Sequence, residues 1–87
     1  MIERVVVVPN ELGLHARPAA QVVRLAAQFT ATIELVRDGS VVNGKSIMGV
    51  MMLAAEQGAS VTVRAEGADA EAAVAAVADL IASGFGE

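Results

Sequence analysis

The chain has 87 residues, 55% of them hydrophobic but only 2% aromatic, with six basic residues against ten acidic ones and a formal net charge of −4. That length points to one small domain, residues 1–87, whose modest core must be packed from Val, Ala, Leu, Ile and Met. The absence of cysteine excludes disulfides and thiolate zinc sites, a single histidine builds no metal cluster, and so few basic residues without Tyr or Trp argue against a nucleic-acid surface.

Ile2 to Val8 is a β-branched run closed by Pro9-Asn10, which predicts a strand. Its four consecutive valines are too few for a signal-peptide core or a membrane span, so a soluble, cytoplasmic protein is expected. From Ala16 to about Phe29, Ala19, Val22, Val23, Ala26 and Phe29 recur at helical spacing, with Gln21, Arg24 and Gln28 largely opposite. Thr32 to Arg37 alternates, Asp38-Gly39 is a two-residue hairpin signal, and Ser40 to Asn43 supplies the returning strand. Ser46 to about Glu56 reads as a short helix with Ser46 at its N-cap and Gly58 just past its end. Ser60 to Glu66 alternates again, with Val61, Val63 and Ala65 inward. Asp69 is placed to cap a last helix, whose buried stripe is Val74, Val77 and Ile81 and which Gly84 terminates.

The order is therefore strand, helix, strand, strand, helix, strand, helix. Alternating strands need one wet sheet face. The predicted class is α+β: a two-layer open-faced sandwich, with a four-stranded antiparallel sheet covered on one face by three helices.

The segment "GLHARPAA", Gly13 to Ala20, holds the only histidine. Pro18 lacks an N–H and is tolerated in a first helical turn, which puts His15 at or next to the N-cap. The backbone N–H groups of Ala16 and Arg17 then lack intrahelical partners and form an anion site. A positive helix end biases the imidazole towards its neutral, nucleophilic form. A phosphoryl group taken up by His15 would meet the helix N-terminus and the guanidinium of Arg17. The plainer reading makes His15 a surface or capping residue, and these residues alone do not name a substrate.

"GLHARPA" resembles the active-site motif of the HPr family of phosphocarriers in the bacterial phosphoenolpyruvate-dependent sugar phosphotransferase system. "GKSIMGVMML", Gly44 to Leu53, is similar to that family's second signature, around a regulatory serine. Length, element order and the Asp-Gly hairpin agree, so the resemblance spans essentially the whole chain. It implies that His15 accepts a phosphoryl group on Nδ1 from phosphorylated Enzyme I and passes it to IIA components of sugar permeases, with Arg17 stabilising the phosphohistidine. It implies a carrier in a relay rather than a stand-alone enzyme, with no cofactor of its own. The ending "LIASGFGE" is similar to a nitrogen-related regulatory branch, whereas "KSIMGVMML" belongs to the sugar branch. A binding-only module is a third reading, disfavoured because such relatives replace the histidine.

Ser46 reads first as an ordinary N-cap. The resemblance adds a second role, as the phosphorylation site of an HPr kinase/phosphorylase, with a transcriptional regulator as a further partner. On the same helix Val50, Leu53 and Ala54 share one arc, and Ile47, Met48 and Met51 a neighbouring one, at about 100° per residue. The second arc is either core filling or an adaptable docking patch. The resemblance favours docking, with Ala20 and Arg24 on the first helix extending the surface. Some relatives carry lysines near these positions, where this chain has Gly49 and Ala27.

Overall fold

The computed structural model describes residues 1–87. Strand β1 (Ile2–Val7) leads to helix α1 (Ala16–Ala26), then β2 (Thr32–Arg37), β3 (Ser40–Asn43), α2 (Ile47–Met52), β4 (Ser60–Glu66) and α3 (Ala70–Ala82). A 3₁₀ turn, Gly84–Gly86, follows. The strands form one antiparallel sheet in the order β1-β4-β2-β3. The three helices lie over one face of it, and the α+β open-faced sandwich read from the sequence is the fold observed.

The alternation of the strands decides which face is dry. Ile33, Leu35, Val61, Val63 and Ala65 are buried beneath the helices. On the open face a register row runs Val5, Thr62, Val36, Val41 across all four strands, and Val5 and Val41 are exposed. The continuous valine run near the start therefore alternates like the other strands: Val6 and Val8 are buried, Val5 and Val7 exposed. Asp38 and Gly39 both take positive φ, 48° and 83°, the conformation a two-residue type I′ hairpin requires.

Helix α1 buries Ala19, Val22 and Ala26, and α3 buries Ala73, Val74, Val77, Ala78 and Ile81. Small side chains on both let the helices sit close to the sheet, and Phe85 is the one aromatic ring among the 23 buried core residues. Within α2 only Val50 is buried, followed by Leu53 and Ala55 in the connection to β4.

Three helix ends differ from expectation. Helix α1 stops at Ala26 rather than near Phe29, because the N–H groups of Gln28 and Phe29 tighten onto the carbonyls of Leu25 and Ala26, three residues back. Helix α2 stops at Met52 rather than near Glu56. Ala54 turns left-handed at φ 54°, and Arg37 Nη1 reaches across from β2 to the carbonyls of Leu53 (3.3 Å) and Ala54 (2.7 Å). Ala54 is accordingly exposed and does not share the buried arc of Val50 and Leu53, while Gly58 serves the turn into β4. Asp69 stands at the N-cap of α3 without capping it. Its carboxylate accepts the N–H groups of Thr30 and Ala31 at 2.8 Å each, tying α3 to the α1–β2 loop.

Candidate functional site

His15 is the N-cap of α1, with extended backbone (φ −75°, ψ −170°) and no capping bond from its side chain. Two neighbours hold it there. Leu14 is buried, as is Ala19 one turn into the helix, the spacing at which an apolar pair fixes the entry angle of a chain. Gly13, at φ 64°, lies so close to the connection after α2 that a Cβ would collide with the Ala55 carbonyl. Leu14 N–H then donates to that same carbonyl at 2.9 Å. The glycine of the motif thus serves this close approach, and the loop before α1 is docked onto the segment leaving α2.

Pro18 is the third helical residue, where its missing N–H interrupts nothing, and Arg17 keeps helical geometry despite preceding it. The first backbone bond of the helix runs from Ala19 N–H to the His15 carbonyl at 2.9 Å. The amides of Ala16 and Arg17 precede it, and no side chain caps them. These two donors are therefore left without a protein partner.

The imidazole has one partner that reading along the chain passes over. His15 Nε2 lies 2.9 Å from Glu87 Oε2, across 72 residues of sequence. Glu87 Oε1 also accepts from Asn10 Nδ2 at 3.2 Å, and the same Asn10 amide donates to the Gly13 carbonyl at 2.7 Å. Asn10 is buried, and its Oδ1 has no partner. Burial works against ionising Glu87. The hydrogen bonds from Asn10 and His15, with the charges of His15 and Arg17, outweigh it and hold the carboxyl below the usual carboxylate range. As a carboxylate Glu87 accepts, so in this contact the ring donates through Nε2.

Glu87 arrives here because the chain after α3 is pinned. Phe85 is buried with φ 61°, its N–H donating to Ser83 Oγ at 3.3 Å, and Gly84 packs under Pro9. Around the ring, Pro9, Asn10, Glu11, Leu12, Arg17 and Glu87 enclose an open depression of about 510 Å³.

Ser46 caps α2, its Oγ accepting the Gly49 N–H at 3.1 Å. Beyond it Ile47, Met48 and Met51 are exposed, and so is Met52, which the arc reading left out. Arg24 is exposed in the last turn of α1 and Ala20 is half-buried. Helices α1 and α2 pack against each other, so His15 and Ser46 stand at the starts of neighbouring helices. No cluster of His, Asp and Glu suited to a metal ion occurs. No helix is long and apolar enough to cross a membrane.

Residues 2–83 match the family model described as the PTS HPr component phosphorylation site. The phosphocarrier protein HPr of Cupriavidus necator is 46% identical over 87 residues, covering 100% of this chain and 98% of that protein. The HPr of Xylella fastidiosa is 44% identical with the same coverage. Among solved structures, HPr of Thermoanaerobacter tengcongensis superposes with a TM-score of 0.95 at 48% identity, covering 100% of this chain and 98% of the other.

Proposed function

The chain belongs to the HPr family of phosphocarrier proteins of the phosphotransferase system, and on that premise we propose that His15 is its phosphoryl carrier. The observation that carries the assignment is the ring itself: Nε2 is engaged by Glu87, no hydrogen bond occupies Nδ1, and His15 lines the depression at an uncapped helix start. Nδ1 attacks the phosphorus of phosphorylated Enzyme I. A new P–N bond forms and the old one breaks; the Enzyme I histidine, protonated beforehand on its other ring nitrogen, leaves as neutral imidazole, and His15 keeps its Nε2 hydrogen as the phosphorylated, cationic ring. The amides of Ala16 and Arg17 and the Arg17 guanidinium receive the charge of the phosphoryl group. Transfer to a IIA component of a sugar permease is the same step in reverse sense. The phosphoramidate passes onward readily because protonation makes imidazole a good leaving group.

The exposed residues Ile47, Met48 and Met51, with Ala20 and Arg24, form the surface on which Enzyme I and IIA dock. Ser46 is the regulatory site for a serine kinase of the HPr kinase/phosphorylase type. A phosphate there sits at a helix N-terminus, where it is tolerated electrostatically, and adds charge beside the docking surface.

The test is incubation with phosphoenolpyruvate and Enzyme I. An acid-labile, base-stable adduct is expected on the protein and not on His15→Ala. Undiminished labelling of the variant removes His15 from the role. Preferential charging by a nitrogen-branch Enzyme I would move the protein to that regulatory branch.

A further inference from the structure

The protein has four methionines and no Cys, Trp or Tyr. None of the 23 core residues is a methionine. Met48, Met51 and Met52 stand on the six-residue helix α2, 67%, 40% and 74% exposed. The fourth, Met1, borders the open face of the sheet beside Thr32 and Arg64. The readily oxidised sulfur of this chain is therefore all at the surface, and most of it is on the helix that begins at Ser46. The packing of α2 rests on other residues: Val50 is 0% and Leu53 4% exposed. Oxidation can change what this helix shows to a partner while leaving what it shows to the core.

We infer that Met48, Met51 and Met52 form an oxidation site at which hydroperoxides weaken docking of the phosphotransfer partners without unfolding the protein. This rests on the reading of α2 as the docking surface. In each event the terminal peroxide oxygen passes to the thioether sulfur. An S–O bond forms, the O–O bond breaks, sulfur gives up two electrons, and the peroxide leaves as water or an alcohol. A flexible apolar side chain becomes a polar one whose oxygen must be desolvated wherever a partner covers it. Reduction by a dithiol through methionine sulfoxide reductase returns the thioether, with water and a disulfide as products, so the change is reversible. Exposure sets the order: Met52 and Met48 react ahead of Met51.

The test treats the full chain with hydrogen peroxide, maps sulfoxides by mass spectrometry, and measures KM for phosphorylation by Enzyme I, with Tm alongside. Oxidation of Met52 and Met48 is expected to raise KM on the order of tenfold. Tm should stay unchanged, and reductase treatment should restore KM. The triple variant M48L/M51L/M52L, compared with its own untreated form, should show a peroxide ratio near one; Met1 remains in it as the internal comparator. An unchanged KM with Met48 and Met52 fully oxidised overturns the inference. So does an equal rise in the triple variant, or a collapse of Tm on oxidation. If untreated protein takes no phosphoryl group from Enzyme I, the functional reading fails first, and the inference with it.

Discussion

Helices α1 and α2 begin at His15 and Ser46, and the two residues treat the free amides of their helices in opposite ways. Ser46 turns its Oγ inward and closes its helix by accepting the Gly49 N–H. His15 makes no such bond and instead reaches for Glu87, leaving the amides of Ala16 and Arg17 open. Stability alone favours the first arrangement, because a capped helix end has fewer unsatisfied donors. On the proposed function, the end left open beside Arg17 and His15 is where the phosphoryl group is received. The entrance of α3 is a third case. Asp69 occupies its N-cap, yet spends its carboxylate on Thr30 and Ala31, fastening two parts of the fold.

The sharpest way to break this comparison is to remove the ring. His15→Ala should lose phosphorylation by Enzyme I altogether while staying folded, with at most a small fall in Tm from the lost Glu87 contact; undiminished labelling would remove the ring from the role. Arg17→Ala should slow transfer roughly 10–100-fold in both directions with the fold intact, as expected for the loss of one charged contact to the phosphoryl group. Transfer rates equal to those of the unchanged protein would remove Arg17 from the site. Met48→Glu should raise KM for Enzyme I about tenfold with little change in Tm, and normal KM with a fallen Tm would place Met48 among the packing residues. Ser46→Ala should cost about 1 kcal/mol in a denaturant titration, the usual worth of a serine cap.

The smallest effect belongs to α3 and depends on pH. The backbone N–H of Thr30, together with that of Ala31, outweighs desolvation and holds the Asp69 carboxyl below its ordinary value of 3.8. Its contribution to stability is therefore fully present above the unfolded-state value and is lost as pH falls through the lower folded-state value. Asp69→Asn should flatten that part of the acid limb of a Tm-versus-pH curve. An unchanged slope would show that the two hydrogen bonds do not favour the ionised form.

Much of this was readable along the chain, because the signals were local. Asp38-Gly39 specified the hairpin through two positive φ values, the alternation of Ser60 to Glu66 chose the dry face, and Pro18 set His15 at the helix start. The acidic partner of the histidine was not readable. Glu87 is brought to it by the packing of α3 and the burial of Phe85, contacts between distant segments that leave no periodic trace. Nor was the end of α2, which depends on Arg37 reaching over from β2. The role of Asp69 was misjudged for the same reason: its position satisfies the capping rule, but its bonds go to another loop.

The most direct measurement is ¹⁵N NMR of the imidazole before and after charging with phosphoenolpyruvate and Enzyme I. The expected result is a hydrogen on Nε2 of the free ring and phosphorus bonded to Nδ1 of His15 in the charged protein. Phosphorus on Nε2, or on any other residue, would contradict the assignment of the open helix entrance as the place where the phosphoryl group is held.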